Sequence, residues 1–467
     1  MRQGLGPTPV IAVLGLFASA TLLSAVPVQG RTTTNLGQRY EIVATLDLQA
    51  GTLDAVLTLS LTNRASVEID HLNLSVIPRA LGYLGMDEAI TADDVEATTS
   101  WTTSTNLRVE LAEPLARRGT VVLRIPFHLS IGTSAAPFTA RLSRENGVVS
   151  LGEWFPILSR EHDVYGVGDP QVSFSADLIR VDLTTTAPLP RDAVACPGLV
   201  SAPDTTGTSW RCEAEDVRDF SLVVNPAFRL TTRTVGDTAL RVYTETVSGD
   251  VTADKALTAL IGMEEAFGEY PWPDLVLAEI GGGGGFSMEY PRAIHLTRTK
   301  VTDSYVIFHE VAHQWFYAQL GNDQQREPWL DEGFADFSAR YLLGIGENQC
   351  SSRDVDSTVF DWPAGPISGG DWTSCDGYFH TVFDKGTEFL NAVRATMGDD
   401  AFFGAMREYI ELHRHEVVSG RGLLDHLQRR TEADLLPVLR LYLGAYDSPA
   451  PAPPSQPADG IPSPIRR

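Results

Sequence analysis

The stretch FHEVAHQWFYAQLGNDQQREPWLDEGFADF, Phe308 to Phe337, places two histidines and several carboxylates within thirty residues that otherwise read as helix. His309 and His313 are four apart, so on a helix their imidazoles project from one face, one turn above the other. Two imidazoles so placed can hold a single metal ion. Glu310 lies between them in HEVAH, the arrangement in which a glutamate beside two ligands acts as general base on metal-activated water. Glu332 follows His313 after eighteen residues, enough for one helix to end, the chain to turn and a second helix to return a carboxylate. A set of two His and one Glu with a fourth position open is the pattern of catalytic zinc, one ion per chain.

Local sequence supports two helices here. With Thr302 or Asp303 as N-cap, SYVIFHEVAHQWFYAQL predicts a first helix running to Leu320, closed by Gly321 and Asn322. A second helix is expected to begin near Pro328, where a missing N–H does no harm, and to run through PWLDEGFADFSARYLL. The competing reading is a solvated helical pair whose histidines are incidental.

These residues resemble the aminopeptidase N-like zinc metallopeptidases, gluzincins that include leukotriene hydrolase. The family signature is HExxH, eighteen residues, then Glu in a WL-x-EG-[FW]-A context, matched here from Trp329 to Ala335. The resemblance implies His309, His313 and Glu332 as zinc ligands and Glu310 as general base. It also implies a thermolysin-like, mostly helical catalytic domain and a peptide or protein substrate. Upstream, GGGGGFSMEYP (Gly281 to Pro291) is similar to the family's Gly-x-Met-Glu-Asn element, an edge strand that pairs with the substrate backbone. By that resemblance Glu289 binds the substrate's free α-amine, and Met288 and Gly285 line the same groove.

Two departures bear on function. The family carries a Tyr just before an x-Lys-Gly sequence, and its hydroxyl stabilises the oxyanion; the corresponding residue here is Phe383, ahead of Asp384-Lys385-Gly386. Phenylalanine has no donor, so Tyr378 is expected to substitute, with His380 as the alternative. The second departure is the amine anchor from the β domain, where GEWFPIL offers Phe155 at the matching position and Glu153 two residues away. An aminopeptidase is therefore the expected activity. An endopeptidase, or a zinc-containing binding protein weakened by Phe383, is the alternative.

Working outward, residues from about Tyr40 to Leu230 alternate apolar and polar in short runs such as AVLTLSL, VVLRIPFHL and LIRVDLTT. From about Arg241 the pattern turns helical, through ADKALTALIGMEEAFGEY, KGTEFLNAVRATMG, DDAFFGAMREYIELH and RGLLDHLQRRT. The expected class is α+β and multidomain: an N-terminal antiparallel β domain over 31–235, a catalytic zinc domain over 236–446, and a Pro-rich disordered tail over 447–467. Fewer residues follow Gly386 than the family's long C-terminal helical domain requires, so a more open site is expected.

Residues 1–30 carry one Arg and then VIAVLGLFASATLLSAV, which reads as a secretory signal peptide with a cleavage site near Gly30, or as an uncleaved membrane anchor. A secreted or extracytoplasmic protein is expected, membrane-bound only if that segment stays attached. Four cysteines suit an oxidising compartment; neighbours in sequence suggest Cys196–Cys212 and Cys350–Cys375, the other pairings remaining open. A formal charge of −24, with three Lys in the chain, argues against a nucleic-acid partner, because no basic patch would offset phosphate repulsion.

Overall fold

The computed structural model describes residue 1 and residues 36–133, 141–159, 174–282, 286–324, 327–346 and 380–443. The N-terminal apolar run, the Pro-rich tail, Gly285, Tyr378, Cys350 and Cys375 lie outside the described residues.

The alternating runs become strands for the expected reason: one face buries and the other stays wet. β1 (Leu36–Asp47) and β2 (Thr52–Asn63) form a hairpin, and in β2 the buried positions fall on every second residue. β3 (Thr120–Ser130) adds antiparallel to β2. On the other side of β1 lie β4 (Leu178–Leu189) and β5 (Gly207–Ala214) in one nine-stranded sheet. The antiparallel β domain expected from the sequence holds one parallel pair, since β1 and β4 run parallel, with Arg39 opposite Leu178. Strands joined by a tight turn must pair antiparallel, but these two are distant in sequence and no turn dictates their direction. A disulfide joins Cys196 to Cys212, and Cys212 lies on β5.

A second sheet begins with β6 (Arg229–Val235) and β7 (Thr238–Thr244), an antiparallel pair. Helix α1 (Gly249–Phe267), capped by the Ser248 side chain, carries the chain across to β8 (Asp274–Ile280), parallel to β7; β9 (Ala293–Thr297) follows, parallel to β8. Every residue of β8 and β9 is buried, as parallel strands covered on both faces require. The main elements after β9 are helical: α2 (Ser304–Ala312), α3 (Glu332–Leu343), α4 (Lys385–Met397), α5 (Asp399–His413), α6 (Gly420–Arg429) and α7 (Leu436–Leu443). No described helix is long and apolar enough to cross a membrane.

One hydrophobic core runs through both the β-rich and the helical parts. Polar ties reinforce it. The guanidinium of Arg218, fully buried, donates to the main-chain carbonyls of Ala318 and Glu416, and Trp272 Nε1 donates to Glu215 O at 3.1 Å. Burial lowers the Arg218 pKa to about 10.

Candidate active site

The first site helix starts where its cap dictates. Asp303 accepts from the backbone N–H groups of Tyr305 and Val306 at 3.0 and 3.3 Å. The helix ends earlier than its sequence suggests, at Ala312 rather than Leu320, with His313 as C-cap. Every residue from His313 to Leu320 is buried, so this stretch cannot be one apolar stripe of a surface helix. The chain leaves the helix through wider turns, Ala318 N to His313 O and Leu320 N to Trp315 O, and Tyr317 takes a φ of +131°. The second site helix also differs slightly: Pro328–Leu330 forms a single 3-10 turn, and α3 begins at Glu332, whose N–H is held by Asp331 Oδ1 at 2.6 Å.

These two ends bring three side chains together. His309 Nε2 is 3.1 Å from Glu332 Oε2, His313 Nε2 is 3.4 Å from the same oxygen, and the two Nε2 atoms are 3.1 Å apart. Tetrahedral ligands on arms of about 2.1 Å would be separated by roughly 3.4 Å, so the spacing suits zinc. His313 Nδ1 faces Phe316 O at 3.0 Å, an arrangement that puts the ring proton on Nδ1 and leaves the Nε2 lone pair for a metal. Among the described residues these are the one group of three or more His, Cys, Asp or Glu side chains placed to share an ion.

Charge favours a cation at this point. Burial disfavours a protonated His313, yet Glu289, Glu332 and Glu310 around it outweigh burial and raise its pKa well above the usual value. Burial also opposes ionisation of Glu332, but its hydrogen bonds to His309 and His313 win and lower its pKa to about 2. Glu310 is buried with Oε2 unpaired, and burial, then the nearby Glu289 charge, pushes its pKa far up. Burial and the neighbouring carboxylates thus hold Glu310 neutral on its own, and a cation in the site would favour its ionised form.

The Met288–Pro291 segment is fixed from two sides. Met288 and His295 exchange backbone hydrogen bonds of 2.9 and 2.8 Å, at the edge of the sheet beyond β9. Gln314, next to His313, accepts from Arg292 N at 2.8 Å and donates to Tyr290 O at 3.2 Å. Gln314 thus ties the segment carrying buried Glu289 to the metal helix. Gln314 carries no mark in the sequence beyond its place immediately after HExxH. Gly152 packs so closely that a Cβ there would fall 1.9 Å from the Tyr290 hydroxyl. Glu153, at a left-handed φ of +50°, is buried and receives Arg141 Nη1 at 2.5 Å. Phe155 is core, edge-on to Trp154 and Tyr40.

Phe383 lies in a short π-helical segment, His380–Asp384, and packs against the His309 ring. His380 Nδ1 is 2.5 Å from Asp384 Oδ2.

No family model matches the chain. In sequence it is similar to aminopeptidase N of Lactobacillus helveticus, 28% identical over 153 residues, which cover 30% of this chain and 18% of that protein. It is also similar to endoplasmic reticulum aminopeptidase 1 of Homo sapiens, 25% identical over 203 residues, covering 38% and 22%. The match thus spans about a fifth of the length of these curated relatives. In fold it is similar to the M1 zinc metallopeptidase of Deinococcus radiodurans, with a TM-score of 0.64, 18% identity, and coverage of 91% of this chain and 97% of that one. In sequence the chain is similar to aminopeptidase N-like zinc metallopeptidases over part of its length, and in fold it is similar to an M1 zinc metallopeptidase over most of it. A mutant of the Deinococcus radiodurans M1 zinc metallopeptidase has been solved with a Tyr-Ser-Ala substrate.

Against this aminopeptidase N-like background, the structure brings His309, His313, Glu332 and Glu310 into one buried site, with Met288 and Glu289 on the adjoining segment. The two departures stand: Phe383, without a hydroxyl, occupies the ring position beside His309, and Phe155 belongs to the core.

Proposed function

We propose that this chain is an exported zinc-dependent aminopeptidase that hydrolyses N-terminal peptide bonds. The observation that carries the reading is the convergence of His309 Nε2, His313 Nε2 and Glu332 Oε2 within 3.4 Å of one another, with buried Glu310 beside them. Zinc, when bound by these three residues, supplies Lewis acidity toward water and the scissile carbonyl. Glu310 takes a proton from the attacking water and delivers it to the leaving amine nitrogen. Glu289 accepts the substrate's α-ammonium, and the backbone around Met288 and Gly285 aligns the peptide. Tyr378, or failing it His380, donates to the developing oxyanion in place of the absent hydroxyl at Phe383. The apolar run near the N-terminus and the Cys196–Cys212 disulfide support export to an oxidising compartment.

A second reading, an endopeptidase with relaxed recognition of the amino end, is favoured by one observation. Glu153, the acidic residue two positions before Phe155, already receives Arg141. Turnover of aminoacyl fluorogenic substrates, run beside the same peptides with blocked amines, separates the two. Cleavage confined to free amines supports the aminopeptidase; no cleavage of either by zinc-loaded protein refutes both.

A further inference from the structure

Two residues lie one helical turn outside the ligand set. On α2, Tyr305 precedes His309 by four positions; on α3, Asp336 follows Glu332 by four. Side chains four apart on a helix share a face. The two helices therefore meet twice in the same register, once through His309 and Glu332 and once through the Tyr305 hydroxyl, which donates to Asp336 Oδ1.

Asp336 is entirely buried, and its carboxylate gathers donors from three helices. Tyr305 reaches it from α2, Arg340 Nε at 2.8 Å from α3 itself, and Thr387 Oγ1 at 2.7 Å from α4. Arg340 continues to Asp384 Oδ1 at 3.1 Å. Burying a carboxylate is costly unless it is paired, and Arg340 alone already supplies the charge. Tyr305 adds no charge; what it adds is a fixed distance between α2 and α3. That distance matters because both ligand-bearing helices present their ligands near an end. His313 is the C-cap of the nine-residue α2, and Glu332 is the first residue of α3. Helix ends are where fraying is greatest.

Resting on the zinc reading above, we infer that Tyr305 and Asp336 are positioning residues for the metal site, their hydrogen bond fixing α2 against α3 so that His309 stays within coordinating distance of Glu332. A phenol has one proton to donate, and here it is committed to Asp336, so Tyr305 is not the missing oxyanion donor. The effect is on the spacing of the ligands, where zinc tolerates only about 0.2 Å.

The test uses the full chain, stripped of metal, and measures zinc affinity by competition with a chromophoric chelator. Tyr305→Phe removes the hydroxyl and keeps the ring. Thr387→Val removes a hydrogen bond to the same carboxylate but leaves the tie between α2 and α3. Tyr305→Phe should weaken zinc binding about tenfold, in the lower part of the range for residues that support ligands. Thr387→Val should stay within about twofold of wild type, while both lower the melting temperature of the zinc-free protein similarly. Asp336→Asn should weaken zinc binding at least as much as Tyr305→Phe. Unchanged affinity in Tyr305→Phe, or equal weakening in Thr387→Val, overturns the inference alone. A wild type that takes up no zinc overturns the metallopeptidase reading and this inference with it.

Discussion

The phenyl ring of Phe383 lies flat against the imidazole of His309, with centroids 5.5 Å apart and planes inclined by 9°. An apolar ring thus covers His309, one of the three candidate ligands, where the resembled family carries a tyrosine. With Tyr378 as donor, Tyr378→Phe should reduce kcat by about a hundred- to a thousandfold with little change in KM, because such a donor acts on the transition state. Phe383→Tyr should then change little. The opposite pattern, a large gain in Phe383→Tyr and none lost in Tyr378→Phe or His380→Ala, would show that the position beside His309 lacks a substitute. Steady-state kinetics on the three variants decides it.

Metal content tests the ligand set. Elemental analysis of the wild type should give about one zinc per chain, and His313→Ala should lose it. Equal loading of the two would remove His313 from the set.

Glu289 is predicted to recognise the free amine. Glu289→Ala should raise KM for aminoacyl substrates more than it lowers kcat, and N-acetylation of a good peptide should abolish its cleavage by the wild type. Equal rates on acetylated and free peptides would favour the endopeptidase.

Gly152 tests the packing that supports Glu289. Because a Cβ at residue 152 would meet the buried Tyr290 hydroxyl at 1.9 Å, Gly152→Ala should cost about 1–3 kcal/mol of stability. It should also raise KM, since Tyr290 adjoins Glu289 in the chain. An unchanged melting temperature would mean that Tyr290 moves aside freely.

His295 sets one part of the pH dependence. Its burial lowers its pKa to about 3, against about 6.5 when unfolded, so the unfolded chain binds its proton first. Stability from this group is complete above about pH 6.5 and falls as pH drops toward 3, by up to about 1.4 kcal/mol per pH unit. Its neighbours are the Ser150 hydroxyl, 3.1 Å from Nδ1, and the Tyr290 ring, neither of which ionises in that range. Urea titrations at pH 7 and pH 5 should show a smaller loss for His295→Gln than for wild type. Identical losses would place the acid sensitivity elsewhere.

The candidate metal site was legible in the sequence because it obeys helical arithmetic: His309, His313 and Glu332 are fixed by a four-residue step and by one return of the chain. The β runs were legible through alternation. What alternation cannot encode is strand order, so the parallel pairing of β1 with β4 had no local signal. The early end of α2 was hidden for a related reason. HQWFYAQL carries no Gly or Pro to mark a break, so nothing local in it signals the wider turns that follow His313. The role of Asp336 has only Arg340, four residues on, as a local signal, since its other two donors come from distant helices.

Arg218 carries a practical consequence. Its guanidinium comes from the strand-rich part and is sealed against carbonyls of Ala318 and Glu416 in the helical part. Cutting the gene between the two would break the hydrogen bonds from Arg218 to both carbonyls and expose the surface they seal. Neither fragment should be expected to express in soluble form, and efforts to shrink this protein into a minimal catalyst should trim its surface loops instead.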